Sequence, residues 1–239
     1  MLVDKGLTES RSKAQALIMA GLVYAGTKRL DKPSIMLEDD ANIEIKGKDH
    51  PYVSRGGVKL AAALSHFNIK PDGWICLDVG ASTGGFTDVL LRAGAQKIYA
   101  VDVGHNQLAY SLRENPSVVV MEKTNARTLD ETLIPNAPDM VVCDASFISL
   151  KTVLPAALNL AKPSAWLVAL IKPQFEVGKD RVGKGGIVRE SELHTEVCQE
   201  IEVWLRDEMK WSIIGLTESP ITGAEGNKEF LICARKPAA

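Results

Sequence analysis

The chain is poor in cysteine and holds no two cysteines close together. Cys76, Cys143, Cys198 and Cys233 are scattered without a C-x-x-C, which excludes a zinc ribbon or a dithiol redox motif. Three of them lie inside apolar runs, the pattern of buried free thiols in a reducing compartment. The four histidines, His50, His66, His105 and His194, keep no metal-ligand spacing with the cysteines or with one another, so no resident metal is expected. No apolar stretch approaches the ~20 residues that a membrane helix requires, and no signal-peptide pattern is present. A cytoplasmic protein without a membrane partner is therefore expected. A surplus of one charge is also lacking: 28 Lys and Arg stand against 30 Asp and Glu, a net charge of −2. Binding to nucleic acid or anionic lipid would thus need a local basic face.

With 239 residues, 46% of them hydrophobic and 24% charged, the sequence has room for one sizeable domain and a small one. The most informative stretch is Asp78-Val79-Gly80-Ala81-Ser82-Thr83-Gly84-Gly85-Phe86. It follows the strand-like Trp74-Ile75-Cys76-Leu77 and opens an amphipathic helix over 86–93. A glycine turn there predicts close approach of a ligand to the backbone, with free N–H groups and a positive helix end facing it. A second strand over 97–101 ends on Asp102, about twenty residues on, where a carboxylate can accept both ribose hydroxyls. The pattern predicts a nucleoside-cofactor pocket. The dinucleotide fingerprint wants glycine where Ser82 stands, and Asp78 suits an amine or methionine-like head better than a phosphate. S-adenosylmethionine therefore fits better than NAD.

Residues 1–47 read as a separate module. Thr8 or Ser10 can cap a short helix carrying Ala14, Leu17 and Ile18, with Gly21 closing it. A hairpin is expected from 22–24 to 34–37 through a turn at 25–29, then a strand over 41–45. Lys46-Gly47-Lys48-Asp49-His50-Pro51 is polar and broken by glycine and proline, and sets a linker at 48–53. Residues 54–239 alternate helices (57–67, 84–93, 106–113, 150–160, 190–209) with strands (74–79, 98–102, 118–121, 140–144, 166–171, 213–217, 229–233). Such alternation predicts an α/β, Rossmann-like fold: a mostly parallel sheet covered on both faces, with ligands at the carboxyl ends of its strands.

Asp144 and Lys172 each close an apolar strand on that ligand side. A lysine there, beside a second cation such as Lys59, has its ammonium form disfavoured and can act as a base. Glu229, at the start of the last strand, could hold a lysine in place. Taken singly, each also fits a bland role: a solvated helix lysine at Lys59, an edge gatekeeper at Glu229, an N-cap at Asp144, a strand end before Pro173 at Lys172. The case rests on the set.

Residues 52–235 resemble the FtsJ-type ribose 2′-O-methyltransferases. The resemblance implies that Lys59, Asp144, Lys172 and Glu229 form that family's Lys–Asp–Lys–Glu catalytic tetrad. Residues 1–47 are similar to the S4-type RNA-binding domain, through Ser10-Arg11-Ser12-Lys13-Ala14-Gln15-Ala16-Leu17-Ile18-Met19-Ala20-Gly21-Leu22-Val23, Lys32-Pro33 and Ile43-Glu44-Ile45, with a shortened N-terminus. Both halves together resemble the TlyA or haemolysin A family, through Ser54-Arg55-Gly56-Gly57, the 78–88 turn, Val101-Asp102-Val103-Gly104, Asp144-Ala145-Ser146-Phe147-Ile148-Ser149-Leu150, Lys172-Pro173-Gln174-Phe175-Glu176, Gly185-Gly186-Ile187-Val188-Arg189 and Gly226-Asn227-Lys228-Glu229-Phe230.

That resemblance implies S-adenosylmethionine-dependent methylation of RNA, with ribosomal RNA or ribosomal subunits as partner and a cytidine 2′-hydroxyl as target. Asp78, Gly80, Ser82, Gly84, Gly85, Phe86 and Asp144 would surround the methionine side of the cofactor. Asp102 would hold its ribose, and the Thr124-Asn125-Ala126 loop its adenine. Arg11, Lys13, Lys28, Arg29 and Arg55 would contact RNA phosphates, and the basic segment 178–189 would form an RNA-facing lid. Two other readings remain open: a non-catalytic RNA- or ribosome-binding factor, and a membrane-active haemolysin.

Overall fold

Gly21, with φ of 70°, ends the first helix, α1 (Arg11–Met19). The Leu22 N–H reaches back to Leu17 O at 3.0 Å and the Gly21 N–H to Ile18 O at 2.9 Å, satisfying carbonyls that a helix end leaves open. The computed structural model describes residues 1–8, 10–19, 21–38, 40–45, 50–223 and 226–238, without the side chains of Ser12, Lys13, Ala16 and Lys179. Part of the expected linker and the side chain of Lys13 therefore lie outside the described residues.

Chain contacts divide the protein into Met1–Pro51 and Tyr52–Ala239. In the first unit, β1 (Val23–Ala25) pairs with β2 (Lys28–Leu30) on one side and with β3 (Ile43–Ile45) on the other, both antiparallel. Leu2, Ala14, Val23, Leu30 and Ile43 form its core. The hairpin is tighter than expected. Gly26, at φ 60°, supports a two-residue Gly-Thr turn, so pairing resumes at Lys28 rather than at 34. Residues 34–37 form no strand, and Met36 is 93% exposed.

The second unit is a Rossmann-like α/β sheet. Its chain order is α2 (Gly56–His66), β4 (Ile75–Val79), α3 (Gly85–Arg92), β5 (Lys97–Val101), α4 (Tyr110–Arg113), β6 (Val118–Met121), β7 (Met140–Cys143), α5 (Leu150–Val153), α6 (Pro155–Leu160), β8 (Trp166–Ile171), α7 (Pro173–Glu176), α8 (Ser191–Asp207), β9 (Ser212–Glu218) and β10 (Phe230–Arg235). The sheet runs β6-β5-β4-β7-β8-β10-β9, with only β10 antiparallel to its neighbours. Successive side chains go to opposite faces. Leu77, Val141, Leu167, Ala169, Ile171 and Ile232 pack with Leu154, Leu158, Ile201 and Trp204 of α6 and α8 or their borders. Cys76, Val142, Val168, Leu170 and Leu231 pack with Leu60 and Leu64 of α2 and Phe86 and Leu90 of α3. Strand order reverses between β4 and β7, which opens a crevice at their carboxyl ends.

Two expected helices are shorter than their sequence pattern. Over 106–113 only the last four residues are helical, because the Glu122 carboxylate accepts the N–H groups of Asn106, Gln107 and Leu108 at 2.8, 2.9 and 3.3 Å. The Arg113 guanidinium and those amides lower the Glu122 carboxyl to about 2. The expected helix over 150–160 divides at Pro155, which has no N–H to continue it. All four cysteines are free and buried, and burial pushes the thiols of Cys143, Cys198 and Cys233 up to about 12.

Candidate active site

Four ionisable side chains meet in pairs where β7, β8 and β10 face the crevice. Lys172 directly follows β8, and its Nζ lies 2.7 Å from Asp144 Oδ1, at the end of β7. The same ammonium donates to Ser146 Oγ at 2.8 Å. Lys59, on the buried side of α2, donates to Glu229 Oε2 at 2.5 Å. Antiparallel pairing sets Phe230 opposite Ile171, which brings the residues just outside that pair, Glu229 and Lys172, to neighbouring strand ends. Each lysine thus has its own carboxylate. Glu229 balances the charge of Lys59, the lysine it meets.

Gly223 leaves room for one of the carboxylates: a Cβ there would stand 2.0 Å from Glu229 Oε1, whereas one on Gly56 would make ordinary contact with Asp144 Oδ2 at 3.4 Å. No sequence pattern singles out Gly223 or Ser146. Ser146 sits inside a recognised motif, but no spacing rule marks a serine two residues past an acid as a lysine partner.

Beside the ion pairs lie two cavities. The larger, about 450 Å³, is lined by Asp102, Asn125, Ser146, Phe147, Val79 and Val101 among others. The smaller, about 110 Å³, is lined by Ser54, Lys59, Thr83, Phe86 and Asp144. Gly80 and Ser82 border both. A mostly apolar cleft of this size with a few converging polar groups suits a nucleoside. Asp102 Oδ2 accepts the Ser82 N–H at 2.8 Å and Oδ1 the Gly104 N–H at 2.7 Å. These bonds aim the carboxylate while leaving it lone pairs for ribose hydroxyls. Asn125 Oδ1 is engaged by the Arg127 N–H at 3.1 Å, so the side chain first shapes its own loop.

The glycine turn differs from expectation in two respects. The N–H groups of Gly80 and Ala81 bond to Val101 O, and that of Gly84 bonds to Ala81 O. With Ser82 held by Asp102, these four amides are engaged within the protein, so the turn supplies shape rather than a phosphate nest. The glycines also make room for neighbouring protein. A Cβ on Gly84 would meet Leu112 Cδ1 at 2.2 Å, one on Gly85 would meet Ser54 Oγ at 2.3 Å, and one on Gly80 would press the Ala145 backbone at 3.0 Å.

Of the expected cofactor residues, Asp78 and Gly84 line neither cavity. Asp78 is fully buried. Thr87 donates to its Oδ2 at 2.7 Å, while Oδ1 has no hydrogen-bond partner. Burial raises its carboxyl to about 7.

The expected RNA contacts belong to both units. In the first unit Arg11 borders a concavity of about 400 Å³ with Asp4 and Lys32, while Lys28 and Arg29 are exposed on β2. In the second unit Arg55 donates to Thr222 O at 3.0 Å. The segment 178–189 is tied down. Arg181 forms a two-pronged ion pair with Glu196 of α8, and Asn227 accepts the Val188 N–H at 3.1 Å and donates to Gly186 O at 3.0 Å. Among the described residues no group of three His, Cys, Asp or Glu is placed to hold a metal.

Comparison with known proteins shows the family and the fold. The family model for FtsJ-like methyltransferase matches residues 52–236. The 16S/23S rRNA (cytidine-2′-O)-methyltransferase TlyA of Mycobacterium tuberculosis is 45% identical over 98% of this chain and 87% of its own length. A solved structure from Streptococcus thermophilus, described as a hemolysin candidate, is 42% identical with a TM-score of 0.79, covering 99% of this chain and 86% of that one. The N-methyltransferase NodS of Bradyrhizobium japonicum, 13% identical with a TM-score of 0.53 over 80% of this chain and 99% of its own, shares the fold alone.

Proposed function

This chain belongs to the FtsJ-like methyltransferase family, and from that premise we propose that it transfers a methyl group from S-adenosylmethionine to the 2′-hydroxyl of a ribosomal RNA cytidine. The observation that carries the reading is the double ion pair, Lys172–Asp144 and Lys59–Glu229, beside a nucleoside-sized cleft. The 45% identity to a relative named for this rRNA reaction supports it.

S-adenosylmethionine, when bound, supplies a methyl group already activated by a sulfonium. The protein's task is then alignment and removal of one proton. In its unprotonated form Lys172 Nζ would accept the 2′-hydroxyl proton while the ribose oxygen takes the methyl carbon and the carbon–sulfur bond breaks, its electron pair leaving with the sulfur. Asp144 Oδ1 balances the resulting ammonium, and Ser146 Oγ fixes its direction. Lys59, held by Glu229, keeps a second positive charge near the attacking oxygen. Asp102 and the Asn125 loop would hold the ribose and base of the cofactor. Asp78 Oδ1, without a partner below the turn, would stabilise the cofactor side only through the turn itself.

The first unit is read as an S4-like RNA-binding module, with Arg11, Lys13, Lys28 and Arg29 on phosphates, and an rRNA substrate sets the reaction in the cytoplasm. The haemolysin reading has the names of relatives in its favour, among them the Streptococcus thermophilus structure and Hemolysin A of Brachyspira hyodysenteriae, 42% identical over 95% of this chain and 95% of its own length. Against it, α8 carries Glu192, Glu196, Glu200, Glu202 and Asp207, which oppose binding to anionic lipid. No helix among the described residues is long and apolar enough to cross a membrane. Transfer of radiolabelled methyl from S-adenosylmethionine to purified ribosomal subunits, with Lys172→Ala as control, tests the proposal. Label that disappears in the variant supports it; absence of label across subunits and free rRNA refutes it.

A further inference from the structure

We propose that Glu176 is a positioning residue for methyl transfer, fastening the loop that carries Asp144 and Ser146 to the turn that carries Lys172. The inference rests on the catalytic reading of Lys172 given above. Glu176 lines neither cavity and touches none of the four paired side chains. Its role is carried by the backbone between them.

Lys172 is the N-cap of α7, and Glu176 is that helix's last residue. This single turn grips one loop, 144–150, at three successive places. At its start Lys172 Nζ meets Asp144 Oδ1 and Ser146 Oγ. In the middle the rings of Phe175 and Phe147 stand 5.1 Å apart, centroid to centroid. At its end Glu176 Oε2 accepts the Ser149 hydroxyl at 2.6 Å and Oε1 accepts the Leu150 N–H at 2.9 Å. The two segments are joined in parallel order, and Glu176 supplies the bonds at the far end.

Glu176 takes the Leu150 N–H that Ser149, which caps α5 through the Lys151 N–H, leaves open, and a partly buried carboxylate is a costly way to do only that. Burial raises the Glu176 carboxyl from its ordinary range, against the Ser149 and Leu150 donors, with Lys151 and Glu200 as the charged neighbours. The arrangement instead limits the freedom of residues 144–149. A base within hydrogen-bond reach of its partners tolerates little displacement, and loss of an anchor remote from the chemistry lowers turnover without removing any reacting group.

The test compares Glu176→Ala, Glu176→Gln and Ser146→Ala by methyl-transfer kinetics on ribosomal subunits and by NMR titration of ¹³C-lysine-labelled protein, reading the Lys172 signal. Glutamine can keep both bonds, accepting from Leu150 N–H and donating to Ser149 Oγ. Glu176→Ala is expected to lower kcat at least tenfold with KM for RNA within twofold, and to shift the Lys172 titration in the same direction as Ser146→Ala. Glu176→Gln is expected to stay within threefold of the parent kcat and to leave the titration in place. Should Glu176→Ala fail to fold, Ser149→Ala removes one of the two bonds and is expected to give a smaller shift of the same sign. A Lys172 signal unmoved by Glu176→Ala, or moved equally by Glu176→Gln, overturns the proposal. Absence of transfer by the parent protein would instead refute the methyltransferase reading, and the titration still decides whether Glu176 positions Lys172.

Discussion

Lys59 and Glu229 are separated by 170 residues in the chain, yet their side chains meet at 2.5 Å with only 10% and 3% of their surface exposed. A helix before the first sheet strand is thereby joined to the start of the last one. Removing one partner leaves an uncompensated buried charge, at a cost of about 3–5 kcal/mol. Lys59→Met is therefore expected to lower unfolding free energy by that amount and to abolish methyl transfer. Adding Glu229→Gln to it should recover much of the stability and none of the activity. Denaturant unfolding and a transfer assay on the same samples check both.

Gly223 supports the same pair from behind. A Cβ there would stand 2.0 Å from Glu229 Oε1, and Lys59 prevents the carboxylate from swinging away freely. Gly223→Ala is expected to lower kcat at least tenfold while the unfolding temperature changes by only a few degrees. An unchanged kcat would show that the position of Glu229 is not critical.

Asp78 predicts a pH dependence of stability. Burial raises its folded-state carboxyl to about 7, well above the unfolded value, so between about pH 4 and 7 the folded protein binds more protons than the unfolded one. Its contribution to stability therefore declines as pH rises through that window. Asp78→Asn removes the decline. Relative to the parent, the variant should gain stability on the order of a few kcal/mol from pH 4 to pH 7.5, read by urea unfolding at several pH values.

Asp102, in the larger cleft, is aimed by the amides of Ser82 and Gly104. Asp102→Ala is expected to weaken S-adenosylmethionine binding at least tenfold, about 1.4 kcal/mol or more, with the fold retained. Calorimetric titration measures it, and a Kd within twofold of the parent would remove Asp102 from the ribose site.

Local pattern made much of this legible. The apolar strand, glycine turn and amphipathic helix from Ile75 to Arg92 stand where their periodicity put them, and Asp102 follows at the end of the next strand. The four paired residues could be named because each falls at a strand end or in a recognisable motif. What could not be read depends on partners distant in sequence. Glu122 takes three amides that would otherwise begin a helix at 106. The collisions that make Gly84 and Gly85 necessary are with Leu112 and Ser54, so a motif that looks ligand-directed also serves packing. Glu176, Ser146 and Gly223 carry no spacing signal of their own; their significance exists only once β7, β8 and β10 lie side by side. In the first unit, two charged residues, Lys28 and Arg29, disguised a strand whose buried position is Leu30.

The most direct test is nucleoside mass spectrometry of ribosomal RNA after incubation with the protein and S-adenosylmethionine. The account predicts 2′-O-methylcytidine, formed by the parent protein and absent with Lys172→Ala. A base-methylated nucleoside, or 2′-O-methylation that survives loss of Lys172, would contradict it.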